Sequence, residues 1–236
     1  MTIRVGCCGF AKAHATYFDA MQLLEVQKTF YKPPMERTAR RWREEEAPEN
    51  FIFTLKAWQL ITHTADSPTY RKANLDIDDE ARDRYGDFQP TDEVFAAWAA
   101  TRAIAEILAV PLVVFQCAAS FTPTEAHKAN MRAFFAEIER GDLIFAWEPR
   151  GDWADDEVAA LCDDLDFIHC VDPFARQPVT EGRAYFRLHG IDGFHYEYTD
   201  DDLVRLRKWC ALFDEAYVLF NNVAMWEDAQ RFKALL

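Results

Sequence analysis

Eight short runs of apolar, β-branched or aromatic residues recur along the chain, and most are separated by segments with helical spacing. They are "IRVGCC" from Ile3, "LLEVQKTF" from Leu23, "FIFTLKAW" from Phe51, "PLVVFQC" from Pro111, "LIFAWEP" from Leu143, "DFIHCVDP" from Asp166, "RAYFRLHG" from Arg183 and "EAYVLFNN" from Glu215. Alternating strand and helix favours an α/β fold with a parallel sheet, and eight is the strand count of a closed (β/α)8 barrel. The 236 residues, half of them hydrophobic, suit one TIM-barrel-like domain, for which roughly 250 residues is typical. The expected organisation is a single domain over residues 1–236.

Helices are expected around 12–22, 35–46, 91–109, 124–140, 154–165, 200–214 and 224–236. Thr91, Thr124 and Thr199 each precede acidic residues, the pattern of a helix N-terminus capped by a hydroxyl. Two stretches break the alternation. Residues 62–90 are too long and polar for a simple connection and read as a loop or lid over one end. Residues 172–182 are too short and Pro-broken for a full helix, so the crossover between strands six and seven is expected to be irregular.

Charge and composition exclude several functions. Forty acidic residues against 26 Lys and Arg give a formal charge of −14, which opposes general attraction to a nucleic-acid backbone. No apolar stretch approaches the ~18 residues of a membrane span, and "MTIRVGCCGF" lacks the apolar segment of a signal peptide. A cytoplasmic protein with no membrane partner is the expectation; nothing in the sequence specifies an oligomeric state. The six cysteines, without a C-x-x-C pair, read as buried reduced thiols rather than a disulfide framework or zinc site. No G-x-G-x-x-G, P-loop or G-x-S-x-G motif is present.

In a (β/α)8 barrel, functional groups gather at the C-terminal strand ends. Here those ends carry Lys56, Gln116, Glu148 with Arg150, Asp172, Arg187 with His189, and Asn221 with Asn222, whereas most of the starts are apolar. Period-two alternation places Thr54 with Lys56, Val114 with Gln116, Ala146 with Glu148, and Tyr185 with Arg187 and His189 on common faces. Glu25, Gln27 and Thr29 form a similar face in strand two. Buried charges are costly unless paired, so Glu25 or Glu148 could instead neutralise Lys56 or Arg187 inside the barrel.

The segments "VGCCGF", "EVQKTFYKPP", "FIFTLKAWQLITH", "VVFQCAASF", "WEPRGDW", "RLHG" and "LFNN" follow one another in a specific order and spacing over essentially the whole chain. In them the chain resembles the family called domain of unknown function 72, or YecE-like. The resemblance implies a TIM-barrel-like fold and, the family's function being unestablished, no reaction. The chain departs from the family pattern at Gln27, where Asn is usual, at Gly151, where His is usual, and in the short "AKAHATYF" segment after strand one.

The candidate catalytic residues are His189, Glu148 and Lys56. The imidazole would transfer protons, with Glu148 orienting it or acting as a base. Arg187, Arg150, Gln116, His63, Asn221, Asn222, Tyr31 and Trp153 are the candidate ligand contacts, the guanidinium groups and Lys56 for an anion and the aromatic residues for stacking on a ring. His169 reads as a core histidine, and His195 belongs to the loop "GFHYEY". The favoured reading is a hydrolase or phosphodiesterase-like enzyme acting on a small anionic, phosphorylated, nucleotide- or sugar-like substrate, with no cofactor. One alternative is a metal-dependent sugar isomerase or lyase using Glu148, Asp172, His189 and Glu25 as ligands. The other is a non-catalytic module for a nucleotide, RNA fragment or protein.

Overall fold

A computed structural model describes residues 1–75 and 77–236. Eight parallel strands close into a barrel in sequence order: β1 (Thr2–Cys8), β2 (Leu23–Val26), β3 (Ile52–Lys56), β4 (Leu112–Gln116), β5 (Ile144–Glu148), β6 (Phe167–Val171), β7 (Arg183–Leu188) and β8 (Glu215–Phe220), the last pairing with β1. Around them lie α1 (His14–Ala20), α2 (Glu36–Arg40, continued by one π-helical stretch, Arg41–Glu46), α3 (Gln59–Thr62), α4 (Pro68–Ala73), α5 (Asp92–Leu108), α6 (Glu125–Glu137), α7 (Asp155–Leu165), α8 (Asp200–Cys210) and α9 (Met225–Ala234).

The pleat divides each strand between two cores. In β7, Ala184, Phe186 and Leu188 pack outward under the helices, while Tyr185 faces inward with Cys8, Leu23, Val114, Ala146 and Leu219. The expected caps form: Thr91, Thr124 and Thr199 accept through Oγ1 from the backbone N–H of Val94, His127 and Asp202. At α8 the Asp202 carboxylate reciprocates by accepting from Thr199 N at 3.0 Å, which closes a capping box.

Three regions break the regular alternation of strand and helix, the third of them where the sequence leads one to expect it. Strand two ends at Val26, because Gln27–Phe30 turns into a 3-10 helix, where the Thr29 hydroxyl lies 2.5 Å from the carbonyls of Val26 and Lys56. Residues 62–90, which include residue 76 outside the described part, contain α4 and a 3-10 helix at Asp79–Arg84. The end of this segment is stapled to the barrel: Gly86 N and Phe88 N donate to Leu60 O and Ile61 O, both at 2.9 Å, and Phe88 is buried. Gly86 has φ +84°, and a Cβ there would come within 2.3 Å of the His63 backbone, so this approach requires glycine. Between β6 and β7, residues 172–182 run without a helix; His169 anchors them, its Nδ1 accepting from Val179 N at 3.2 Å and its N–H donating to Thr180 Oγ1 at 3.0 Å.

Candidate functional site

The inward residues at the C-terminal strand ends form one connected polar layer. Arg187, fully buried on β7, is its hub. Its Nε and Nη2 grip Glu25 of β2 as a fork at 3.0 and 2.9 Å, and Nη1 donates to Gln116 Oε1 at 2.8 Å and Glu148 Oε2 at 2.5 Å. Tyr185 donates to Glu25 Oε2 at 2.9 Å, so the Thr54 hydroxyl, 2.8 Å away, supplies its own proton to the phenol oxygen. Burial lowers the tendency of Arg187 to stay charged, but Glu148 and Glu25 outweigh it and hold its pKa well above the ordinary value.

Glu148 is held equally firmly. Burial would raise its carboxyl, yet Arg187, Arg150, His189 and Lys56 together bring it down to about 2. The second oxygen pairs with Arg150 Nη2. That nitrogen also lies 3.0 Å from His189 Nε2, and because a guanidinium only donates, Nε2 accepts and Nδ1 carries the ring proton. Nδ1 lies 3.8 Å from Asp172 Oδ2, the oxygen that accepts from His189 N at 2.8 Å. Arg150, Cys170, Asp172, Arg176 and His189 line a cleft of about 250 Å³ at this rim. A larger cavity, about 570 Å³, opens at the opposite end among strand starts such as Ile144, Ile168 and Arg183, away from all of these groups.

Lys56 stands apart. Glu25 and Glu148, the two carboxylates whose charges act on Lys56, are balanced by Arg187 and Arg150, so its ammonium is surplus positive charge among these groups. Its Nζ sits 3.6 Å from the centre of the Phe30 ring and makes no hydrogen bond or ion pair with a described residue. Burial, and then the Arg187 charge, lower its pKa from 10.5 to about 7. His63 meets the same Phe30 ring edge-on at 4.9 Å, and burial followed by the Lys56 charge pushes its pKa down to about 4, so its ring is neutral near neutral pH.

The structure therefore brings Lys56, Glu148, Gln116, Arg150, Arg187 and His189 together and changes several expected roles. Arg187 is not available to a ligand: four of its N–H groups are spent on Glu25, Gln116 and Glu148. Glu148, ionised down to about 2, is a fixed anion rather than a base that carries protons. Trp153 is buried away from the mouth, its Nε1 donating to Phe121 O at 2.7 Å and its ring edge-on to Trp147. Asn222 turns outward from the barrel, its Nδ2 donating to Tyr196 O and Asp228 Oδ2, both at 2.7 Å. Its neighbour Asn221 stays at the rim and accepts from Gln27 Nε2 at 3.4 Å. Tyr31 acts through its backbone, the carbonyl accepting from Trp58 Nε1 at 3.1 Å and Gln59 Nε2 at 3.3 Å.

Phe30 was not foreseen as a wall of the site. Alternation assigns it to strand two, and only the 3-10 turn after Val26 swings it over Lys56. The four proposed metal ligands do not form a metal centre either: among the described residues no three His, Cys, Asp or Glu side chains converge to hold an ion, and the oxygens of Glu25 and Glu148 are taken by arginines. The six cysteines are free and buried, and desolvation pushes the thiols of Cys8 and Cys170 well above their ordinary pKa, so neither offers a thiolate.

The family model described as protein of unknown function DUF72 matches residues 7–236. The chain belongs to the DUF72 family. A DUF72 family protein from Enterococcus faecalis V583 is 20% identical, with a TM-score of 0.74 over 99% of this chain and 97% of that one. Another from Thermotoga maritima MSB8 is 18% identical, with a TM-score of 0.71 over 100% and 99%. The barrel is also similar, at 9% identity, to D-psicose 3-epimerase from Clostridium cellulolyticum H10, with a TM-score of 0.58 over 100% and 98%; at that identity the likeness concerns the fold. No curated protein matches the chain in sequence. Among the described residues no helix is long and apolar enough to cross a membrane.

Proposed function

We propose that the C-terminal mouth of this DUF72 barrel is the active site of an acid–base enzyme that takes a small anionic substrate, one bearing a phosphate or carboxylate. The observation that carries this reading is the isolation of Lys56: a buried amine with two carboxylates in its layer, both already neutralised by arginines. An incoming anion supplies the missing counter-charge and restores the protonated amine. Without one, the amine near neutral pH is partly unprotonated and can take a proton from water or a substrate hydroxyl, as hydrolysis of an ester or phosphodiester requires.

Other groups at the rim divide the work. Arg150 is partly exposed and can turn its remaining N–H groups to the anion. Gln116 spends its amide oxygen on Arg187, which leaves its amide nitrogen for the substrate. His189 becomes a proton acceptor at Nε2 once an anion draws Arg150 away. Glu148 acts electrostatically, holding Arg187 and Arg150 in place.

Calorimetric titration with sulfate, whose charge is constant from pH 6 to pH 9, tests this directly. Binding is expected to weaken as pH rises through about 7, because the binding form is protonated Lys56. It should fall roughly tenfold or more in Lys56→Ala and in Arg150→Ala. Unchanged sulfate affinity in both variants would overturn the proposal.

A further inference from the structure

We infer that the substrate of this mouth is an anionic aldehyde or ketone, and that the amine of Lys56 attacks its carbonyl carbon to form an imine. The inference rests on the anion-site reading above and adds to it the substrate class and the bond that forms.

Several features of the structure bear on this step. Forming an imine needs an amine with its lone pair available, fixed in a dry pocket, and not engaged by a carboxylate. Two buried carboxylates lie in the same layer, yet both are committed: Glu25 to Arg187 and Tyr185, Glu148 to Arg187 and Arg150. Nζ instead faces the Phe30 ring at 3.6 Å, and the residue is buried, with 5% exposure. Its other charged or titratable neighbours are Arg187, Cys8 and His63. Burial and the Arg187 cation beside it disfavour the ammonium and outweigh the Phe30 face and the two carboxylates, which favour it; these are conditions that make a lysine nucleophilic. The backbone of Lys56 is fixed by the Thr29 hydroxyl at its carbonyl and by Ala57 N donating to Val114 O at 2.9 Å.

The step balances without any further reagent. The nitrogen lone pair forms the C–N bond, and the carbonyl π pair moves to oxygen, which takes up the proton that nitrogen gives up. The resulting hydroxyl leaves as water when it is protonated, and the nitrogen lone pair closes the C=N bond. His63, neutral against the same ring, and His189 at the rim are placed to relay those protons through water. The anionic group of the substrate would meet Arg150, leaving the Lys56 amine, partly unprotonated near pH 7, to face the carbonyl carbon; a bare anion such as sulfate, with no carbonyl, would lie against both groups and favour the ammonium.

The test uses the full-length protein with pyruvate and with glyceraldehyde 3-phosphate as charged carbonyls, and acetone as an uncharged one, each reduced in place by sodium borohydride. Mass spectrometry should find one reduced adduct per chain, mapped to Lys56, formed at least about tenfold faster with the charged carbonyls than with acetone. Lys56→Arg keeps the positive charge but forms no imine; with its fold verified by circular dichroism, it should bind sulfate and lose the adduct. Adducts spread over surface lysines at the same rate in wild type and Lys56→Arg would overturn the imine. So would the absence of an adduct at Lys56 in a protein that binds sulfate as described, in which case the anion site stands. Loss of both sulfate binding and adduct would overturn both readings.

Discussion

At the strand starts Glu215 accepts from Arg4 at 2.8 Å and lies 3.6 Å from Arg183, with 22%, 34% and 54% of the three side chains exposed. At the strand ends Glu25 and Glu148 bind Arg187 at similar distances, but Arg187 and Glu25 have no exposure at all. The residue types are the same and the solvent differs. Water at the lower end screens the charges and replaces any partner that is lost, so the cluster decorates the barrel. Around Arg187 and Glu25 water cannot stand in for a lost partner, so their charges must be matched, and the buried amine of Lys56, which has no such match, responds by shifting its pKa.

The largest expected effect comes from breaking the upper network. Arg187→Met fits the apolar stem but strands two carboxylates, and should cost about 3–5 kcal/mol in chemical denaturation. A loss under 1 kcal/mol would mean that the network is far wetter than its burial indicates.

Next is Lys56→Met, expected to stabilise the fold. The folded pKa of about 7 lies below the unfolded value of 10.5, so folding is penalised in full below pH 7. The penalty shrinks between pH 7 and 10.5 and is absent above. The variant should gain on the order of 5 kcal/mol at pH 6, and the gap to wild type should close as pH rises towards 10. A gap independent of pH would show that only packing has changed.

The smallest effect is expected at the lower end. Glu215→Gln should change stability by about 1 kcal/mol or less, and less still in high salt. A loss comparable to that of Arg187→Met would erase the contrast between the two ends.

Much of this architecture is legible in the sequence because it depends on local signals. Eight apolar runs mark the strands, hydroxyl caps at Thr91, Thr124 and Thr199 mark helix starts, and period two places Lys56, Gln116, Glu148 and Arg187 on inner faces. The same period separates Asn221 from Asn222, adjacent residues that face opposite sides. The sequence raises Glu25 and Glu148 as counter-charges for Lys56 or Arg187 but leaves open which cation they serve. Arg187 meets a carboxylate 162 residues away and another 39 away, and no local pattern reveals that both are spent on it. Trp153 reads as a ring at the mouth, but its indole is buried against Trp147 and its N–H donates to the Phe121 carbonyl. Phe30 is hidden for the opposite reason, since a turn that ends strand two early carries it into the site.

The state of one amine decides between a closed structural layer and a reactive one. With 13C-labelled lysine, the Lys56 resonance can be assigned by its loss in Lys56→Arg and followed with pH in the full-length protein. A titration midpoint near 7, rising when sulfate is added, is expected. A midpoint above 10, unmoved by sulfate, would show Lys56 to be an ordinary charged lysine and would contradict the functional assignment of the mouth.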